Sequence, residues 1–295
     1  MANFIAEDFK RIMSGKNYTQ KLILINCIIF VVLNILLVAT PPSTGEAILR
    51  NIGLPAGLTA SILKIWTYFT YMFVHEGFFH LLFNMLWLYW MGRIVSDMYG
   101  SERVLLMYLF GGLTGGVAFM LISSAGFISP NSFLIGASGG VLAVMVGTAA
   151  LLPDYTLRML LVGPVKLKYL ALVGFVLSTV LDFTQNMGGK VAHIGGAAFG
   201  LIYGLQLKKG VEITDKPVKF FHAVVDAFKP GKNLKVVHKK KTSKKKTKSF
   251  SGNFTNLSEA EKQQRVDIIL DKISQAGYDS LTKEEKDFLF TMSNR

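Results

Sequence analysis

Four polar residues lie within or beside long apolar stretches of this 295-residue chain: His80, Asn84, Ser138 and His193. Serine and histidine together can carry out acyl transfer, because the imidazole takes the proton that otherwise makes the hydroxyl a poor nucleophile. The tetrahedral intermediate needs hydrogen-bond donors, which the Asn84 amide, the His80 ring and the Ser138 backbone N–H can supply. The residue types are therefore compatible with a serine hydrolase.

Each of these residues also has a structural interpretation. Ser138 lies among small residues in the stretch 136–140, and Ser, Ala and Gly are common where membrane helices touch. A single histidine in a span can be a polar core contact or part of an ion path. The two interpretations are compatible, because a seam of small residues can bring Ser138 close to His193. Such residues recur at every fourth position in the last apolar run: Ala192, Gly196, Gly200 and Gly204.

The composition is typical of a membrane protein. Hydrophobic residues make up 51% of the chain and charged residues only 17%, against about a quarter in soluble domains. Residues 1–205 contain 12 Lys/Arg and 8 Asp/Glu, a balance of +4, whereas residues 206–295 contain 20 and 11, a balance of +9. The basic character thus belongs mainly to a C-terminal tail. Cys27 is the only cysteine, which excludes a disulfide framework and a thiolate metal site.

Six apolar runs approach the length of about 20 residues that a helix needs to cross a bilayer. They predict an all-α polytopic membrane protein, a bundle of six transmembrane helices. Spans two, four and six run in the same direction and carry the candidate residues near their starts, so we expect those residues at one depth. The predicted spans are residues 21–39, 78–98, 104–123, 134–152, 167–183 and 191–207.

Positive charge is unevenly distributed between the two sides of these spans. The connections on one side contain only three basic residues, Arg50, Lys64 and Lys190. Cytoplasmic connections carry the excess of Lys and Arg, so we expect both termini in the cytoplasm and the protein in a bacterial inner membrane. The richer side contains the tail and Lys10, Arg11, Lys16, Lys21, Arg93, Arg103, Arg158, Lys166 and Lys168.

The remaining segments are predicted to be cytoplasmic. A lysine-rich stretch, residues 239–246, has no aromatic residues between its lysines, which favours contact with anionic lipid over nucleic acid. Capping boxes at residues 258–261 and 282–285 predict a small helical hairpin whose partner the sequence does not indicate. The predicted organisation is an N-terminal segment 1–20, a membrane domain 21–207, an amphipathic and Lys-rich linker 208–256 and the hairpin 257–295.

Three segments resemble the motifs of the rhomboid intramembrane serine proteases. They are His80-Leu81-Leu82-Phe83-Asn84, Gly136-Ala137-Ser138-Gly139 and Ala192-His193-Ile194-Gly195-Gly196, on spans two, four and six. The resemblance covers about residues 20–207. It implies a dyad without a carboxylate, with Ser138 as nucleophile and His193 as base, and it assigns His80 and Asn84 to the oxyanion. It requires no cofactor and no metal. We expect close approaches at Gly136, Gly139, Gly195 and Gly196, and room for a substrate backbone at Gly136, Gly139 and Gly140.

The resemblance also implies a function, an intramembrane endopeptidase that cuts transmembrane segments of membrane proteins near the extracytoplasmic side. Three positions bear on that expectation. Thr67 follows Trp66 where many family members have arginine, and Leu142 stands where some have an aromatic residue four positions after the serine. Asp182 lies near the outer end of span five, and we interpret it as a solvated carboxylate.

Two functions of other classes use the same polar residues. A small-solute transporter or channel could line its path with them, although the internal symmetry typical of transporters is not evident in the sequence. An inactive rhomboid-like protein could bind transmembrane segments without cutting them. Such a protein would be expected to lack the serine or the histidine, and both Ser138 and His193 are present.

Overall fold

A computed structural model describes residues 2–159, 163–179, 186–220 and 258–293 of the chain. The chain divides into two compact units, Met1–Phe228 and Lys229–Arg295. The first unit contains all of the candidate site residues.

The first unit begins with two helices, α1 (Ala2–Ser14) and α2 (Tyr18–Ala39). The Asn17 side chain accepts a hydrogen bond from the Gln20 N–H, at 3.1 Å, and so caps the start of α2. A Pro-Pro pair follows α2 and cannot continue it. The first predicted span is therefore confirmed as one helix, which begins three residues earlier than expected.

The long connection between the first two apolar runs is folded. Its backbone is held by side chains: the Trp66 Nε1–H donates to the Asn51 carbonyl at 2.9 Å, and the Thr70 hydroxyl donates to the Ile52 carbonyl at 2.6 Å. The connection contains α3 (Pro42–Ile52), β1 (Leu54–Pro55), α4 (Leu58–Leu63), α5 (Thr67–Thr70) and a 3-10 turn (Tyr71–Phe73).

Two long helices follow, α6 (Phe78–Tyr99) and α7 (Ser101–Ser124). They are separated only by Gly100, whose φ of +90° lets the chain reverse direction in a single residue. Both helices match predicted spans to within three residues at either end.

The second half of the unit contains the remaining helices and three short strands. Asn186 caps α10 by accepting the Gly189 N–H at 2.8 Å. Antiparallel β3 and β4 pair residue for residue, from Thr156 with Lys166 to Met159 with Gly163. The elements are β2 (Phe133–Leu134), α8 (Ser138–Leu151), β3 (Thr156–Met159), β4 (Gly163–Lys166), α9 (Leu167–Thr179) and α10 (Met187–Lys208).

The fourth predicted span, residues 134–152, is wrong at its start. The helix begins four residues later, at Ser138, because Leu134 pairs with Leu54 in a two-residue antiparallel ladder between β1 and β2. The unit is mostly helical, as predicted, but it is not all-α, because it also contains this ladder and the β3–β4 hairpin. Residues 180–185, which include the predicted end of span five, lie outside the described part of the chain.

Two of the described helices, α2 and α7, are long and apolar enough to cross a membrane by length and composition. Helices α8 and α9 are apolar but shorter. The core packs around α8, with large side chains that are almost completely buried. Among them are Leu88, Met91, Met107, Tyr108 and Met145.

The second unit is a small helical hairpin, α11 (Glu259–Ala276) and α12 (Lys283–Ser293). The predicted capping box at Ser258 is confirmed, since the Glu261 N–H donates to the Ser258 hydroxyl and the Ser258 N–H donates to the Glu261 carboxylate. Ile269, Leu281 and Phe288 form its core. The linker residues 221–257, with the lysine-rich stretch, lie outside the described part of the chain.

Candidate active site

The start of α8 is a sharp change of backbone direction that exposes one hydroxyl. Gly136 has a φ of +128°, a conformation that L side chains rarely adopt, and its N–H donates to the Tyr71 carbonyl at 2.9 Å. Ser138 is the first residue of α8, so its backbone N–H has no acceptor within the helix. The hydroxyl and the backbone N–H of Ser138 are therefore both available at the N-terminal end of α8.

The Ser138 hydroxyl contacts His193. The distance from Ser138 Oγ to His193 Nε2 is 2.7 Å, and His193 Nδ1 lies 3.0 Å from the carbonyl oxygen of Ser178. A carbonyl only accepts, so Nδ1 carries the hydrogen and, in the neutral ring, Nε2 presents a lone pair to the Ser138 O–H. The pair thus has the geometry of a nucleophile and its general base, with the base oriented by a third group.

That third group, the Ser178 carbonyl, was not anticipated from the sequence. It belongs to the last turn of α9, where carbonyl groups lack intrahelical partners and are free to accept other donors. The hydroxyl of Thr179 lies 3.5 Å from the same ring nitrogen. A backbone carbonyl carries no residue signature, so only the helix end could have suggested it.

Helices α8 and α10 touch through their backbones beside this pair. A Cβ on Gly196 would overlap the carbonyl of Gly139, and a Cβ on Gly200 would overlap the backbone of Ala143. A Cβ on Gly195 would lie 2.8 Å from the Thr114 carbonyl of α7. These glycines fix how far α10 stands from α8, and therefore how far His193 stands from Ser138.

Two glycines of α8 have a different use from the expected one. We expected Gly139 and Gly140 to leave room for a substrate backbone. A Cβ on Gly139 would instead lie 3.3 Å from the Ala192 carbonyl, and one on Gly140 would lie 2.6 Å from the Tyr108 carbonyl. Their missing side chains make room for neighbouring helices, because α8 is packed between them.

Gly136 makes room for His80. A Cβ on Gly136 would lie 3.1 Å from Cε1 and 3.2 Å from Nε2 of the His80 ring, and 3.6 Å from Ser138 Oγ. The His80 ring therefore stands close to the start of α8, near the nucleophile candidate. This is the one close-approach glycine that faces the polar groups of the site.

Behind His80 lies a second histidine that the sequence reasoning missed. His75 is only 3% exposed, and its ring meets the His80 ring edge to face at 5.1 Å between centroids. Neither ring nitrogen of His75 has a hydrogen-bond partner among the described residues. Its position five residues before His80 is the one feature of the sequence that could have identified it.

Asn84 lies one helical turn below His80 on α6 and is buried. Its amide donates to the His80 carbonyl at 2.8 Å, which uses one of the two hydrogens on Nδ2 and fixes the side chain. His80, Asn84 and Ser138 all line one cavity of about 700 Å³. The second Nδ2 hydrogen is available to a group bound there.

The cavity lies between α8, α6 and α9. Most of its lining is apolar or aromatic, as in most small-molecule and peptide sites, and the polar groups are few. Leu142, four positions after the serine, is buried in this lining. The lining from α6 and α9 includes Phe79, Phe83, Trp87, Gly174 and Leu177.

The other two positions that bear on the expected function are Thr67 and Asp182. Thr67 is fully buried, and its hydroxyl donates to the Lys64 carbonyl at 2.6 Å. The Lys64 ammonium donates to the Arg50 carbonyl and to the Asn51 side chain, so a lysine three residues upstream of Thr67 stabilises this loop. Asp182 lies outside the described residues. Within those residues, His, Cys, Asp and Glu form no group of three that could hold a metal ion.

Comparison with known proteins gives two matches to family models. The model described as Rhomboid domain matches residues 62–210, half of the chain, and includes every candidate site residue. A second model, a family of unknown function (DUF6576), matches residues 254–295, which cover the C-terminal hairpin.

Individual relatives agree with the first match. The chain is 32% identical over 162 residues to the mitochondrial RHOMBOID-like protein 12 of Arabidopsis thaliana, 50% of this chain and 48% of that protein. It is 29% identical over 163 residues to rhomboid protease GluP of Bacillus subtilis, 53% and 31% respectively. It is 28% identical over 141 residues to rhomboid protease GlpG of Haemophilus influenzae, 48% and 69% respectively. The match thus spans about half or less of the first two relatives.

Proposed function

Because this chain belongs to the rhomboid family, whose members are integral membrane proteins, we propose that it is an intramembrane serine endopeptidase with Ser138 and His193 as its dyad. The observation that carries the proposal is the 2.7 Å contact between Ser138 Oγ and His193 Nε2. The orientation of the imidazole by the Ser178 carbonyl supports it, because a base must present its lone pair to the hydroxyl.

The first chemical step is acylation. Ser138 Oγ attacks the carbonyl carbon of the scissile peptide while His193 Nε2 takes the hydroxyl proton. The resulting imidazolium keeps its hydrogen bond from Nδ1 to the Ser178 carbonyl, which stabilises the positive charge. The tetrahedral intermediate then collapses, the C–N bond breaks, and His193 returns the proton to the leaving amine.

The oxyanion of that intermediate needs donors in place before the reaction. The Ser138 backbone N–H, the second amide hydrogen of Asn84 and the His80 ring border the same cavity and are the donors we assign. Gly136 supports this assignment, since its missing Cβ lets the His80 ring approach the start of α8. Removal of one such donor costs about 2.7–4 kcal/mol in other serine proteases.

Deacylation requires water within the bundle. A helix of 14 residues is about 21 Å long, whereas the apolar core of a bilayer is about 30 Å thick. We propose that α8 begins below the extracytoplasmic surface, so that Ser138 lies inside the membrane and water reaches it through the cavity. Water attacks the acyl carbon while His193 Nε2 takes a proton from it. The bond between the acyl carbon and Ser138 Oγ then breaks, and His193 returns the proton to Ser138 Oγ as the product acid leaves.

The proposed topology has six crossings, formed by α2, α6, α7, α8, α9 and α10, with both termini in the cytoplasm. The excess of lysine and arginine in the connections at that side supports the orientation. The substrates we propose are membrane proteins whose transmembrane segment unwinds near its outer end, next to a small residue. Unwinding is necessary because the peptide bonds of a helix are inaccessible to a nucleophile.

A fluorophosphonate probe tests the proposal, since it reacts only with an activated serine. We expect the purified full chain to be labelled, Ser138→Ala to lose labelling completely, and His193→Ala to lose about 1,000-fold or more of the rate. Ser124→Ala, which removes an exposed serine at the end of α7, is the matched control and should keep the wild-type rate.

Cleavage of a reconstituted transmembrane substrate separates the rival functions. Cleavage that depends on Ser138 supports the endopeptidase. Capture of the substrate by crosslinking, without cleavage or labelling, would identify an inactive binder. Solute flux in proteoliposomes that survives in Ser138→Ala, together with no labelling, would identify a transporter and contradict the proposal.

A further inference from the structure

A second cavity, of about 670 Å³, lies at the other end of α6. It is bordered by α6, by α9 and by the β3–β4 hairpin, and it is distinct from the cavity that contains Ser138. Trp90 lines both cavities, so the two meet along one face of α6. Nothing in the proposed protease chemistry uses this second cavity.

The rim of the cavity has an excess of positive charge. Arg93 and Arg158 both line it, and the one carboxylate in its lining is Asp97. Asp97 lies 3.7 Å from the Arg93 guanidinium, but both side chains are more than two-thirds exposed, so this ion pair is weak. Arg158 has no ion pair among the described residues.

The hairpin beside it does not remove this excess. Its carboxylate, Asp154, is already shared by two ammonium groups, Lys166 and Lys168, each 3.0 Å away. The cavity and hairpin together therefore contain four cations and two carboxylates. An anion bound between Arg93 and Arg158 would meet uncompensated positive charge.

In the proposed topology, the cavity lies at the depth where a bilayer changes from headgroups to acyl chains. Arg93 follows His80 by 13 residues of continuous helix, about 20 Å, which places it toward the opposite membrane surface. Tyr89, Trp90 and Tyr155 border the cavity, and aromatic residues of this kind are enriched at the interface. The interior is apolar and lined by Ile94, Met98, Leu157 and Leu170.

The size of the cavity decides between two occupants. A helix with side chains is about 10–12 Å across, so 670 Å³ would hold only about four to six of its residues. A volume of this order accommodates one ligand molecule instead. The ligand must be anionic at one end and apolar at the other, which is the chemistry of an acidic phospholipid.

We propose that an anionic phospholipid, such as phosphatidylglycerol, binds between α6, α9 and the β3–β4 hairpin. Its phosphate lies between Arg93 and Arg158, and an acyl chain extends over Ile94 and Leu170 toward Trp90. Basic pockets of this kind at the cytoplasmic side of membrane helices bind acidic headgroups. Because Trp90 also lines the cavity of Ser138, the bound chain ends where a substrate segment would lie.

Native mass spectrometry of the full chain, delipidated in detergent and titrated with phosphatidylglycerol or phosphatidylcholine, tests the site. We expect one phosphatidylglycerol to bind more tightly than phosphatidylcholine. The double variant Arg93→Gln/Arg158→Gln should bind phosphatidylglycerol about 30-fold more weakly. Each cation near a lipid surface contributes about 1 kcal/mol, which is roughly fivefold in affinity, and the two factors multiply. Arg93 and Arg158 are both exposed, so the variant should keep the wild-type thermal unfolding midpoint.

Two further variants make the result specific. Lys10→Gln/Lys16→Gln removes two exposed cations that do not line the cavity and should leave lipid binding unchanged. Leu170→Trp keeps both arginines but fills the apolar part of the cavity, and it should also weaken phosphatidylglycerol binding, because the chain as well as the phosphate is held. Inorganic phosphate at the same concentration should displace none of the lipid.

Several outcomes would overturn the proposal. Equal binding of the two lipids, or an unchanged affinity in the arginine double variant, would show that the anionic headgroup does not contribute to binding. Displacement by inorganic phosphate would reduce the site to a phosphate site. The same titration with Ser138→Ala should match the wild type, so failure of the lipid site and failure of the protease proposal are distinguishable.

Discussion

The two sides of α8 are built in opposite ways. Toward α7 and α10, glycines let backbones touch, as at Gly196 against Gly139 and at Gly140 against the Tyr108 carbonyl. Toward α6 and α9, the same helix presents Leu142 and Met145 to a cavity of about 700 Å³. One helix therefore has a side without free space and a side with room for a ligand.

This difference separates two requirements of the proposed chemistry. The distance between Ser138 and His193 must be held to a fraction of an ångström, and helices in backbone contact cannot approach further without a clash. A substrate must enter and leave, which requires side chains and helices that can shift. The closely packed side carries the base, and the open side carries the binding space.

The largest expected effect comes from an extra methyl group on each side. Gly196→Ala places a Cβ within the Gly139 carbonyl, so α10 must move, and we expect a loss of about 3 kcal/mol or more of stability together with loss of labelling. The matched change on the open side, Gly174→Ala, meets the flexible end of Met145 at 3.0 Å and the Trp87 ring at an ordinary contact distance of 3.5 Å, and it should cost less than about 1 kcal/mol.

Thermal unfolding in detergent and the rate of fluorophosphonate labelling measure both variants. Equal destabilisation by Gly196→Ala and Gly174→Ala would contradict the contrast between the two sides.

An intermediate effect is expected where the two sides meet, at the start of α8. Gly136→Ala adds backbone strain at φ +128° and a Cβ 3.1 Å from the His80 ring. Gly126→Ala adds strain at φ +87° in open space and serves as the control. Both should lose about 1–2 kcal/mol of stability, but only Gly136→Ala should lower the labelling rate, by roughly tenfold, because the ring is displaced. Matching rates in the two variants would argue against a role for His80.

The smallest expected effect concerns the β3–β4 hairpin that leads into α9. Lys166 and Lys168 lower the pKa of Asp154 from 3.8 to about 2 through hydrogen bonds and charge. A lowered folded-state pKa gives stability that is present above pH 4 and lost as the pH falls toward 2. Hydrogen exchange of the hairpin amides should therefore be constant from pH 7 to 4 after correction for the intrinsic rate, and protection should fall below pH 4.

Asp154→Asn provides the control for this pH dependence. It should show the weaker protection at every pH and no acid transition between pH 4 and 2. No carboxylate–lysine pair joins α8 to α10 among the described residues, so protection of α8 should not follow this transition. A common transition in both regions would show that the hairpin and the core unfold together.

The sequence predicted the parts of the fold that follow from apolar length and from capping residues. Helices α2, α6, α7 and α10 lie where the apolar runs placed them, and Ser258 caps α11 as expected. The start of α8 could not be predicted this way, because Leu134 is equally apolar in a strand and in a helix. Its strand pairing with Leu54 depends on a contact 80 residues away.

Only the part of the site that consists of side chains could be predicted from the sequence. The polarity and shared depth of His80, Asn84, Ser138 and His193 pointed to one region, and Ser138 and His193 are in contact there. The Ser178 carbonyl could not be found, because every residue has a carbonyl and only the fold decides which one is free. Nor could the sequence predict whether Gly139 and Gly140 face a neighbouring helix or the substrate, since glycine is compatible with both.

The hydrogen bond between His193 and the Ser178 carbonyl has a consequence for the order of events in a catalytic cycle. The carbonyl belongs to α9, on the open side, whereas the imidazole belongs to α10, on the packed side. Any outward displacement of α9 that widens the cavity also breaks the bond that selects the reactive tautomer. In the proposed endopeptidase, His193 would then lack its orienting hydrogen bond while the cavity is wide and regain it only after α9 returns, so that substrate loading and bond cleavage would follow each other in time.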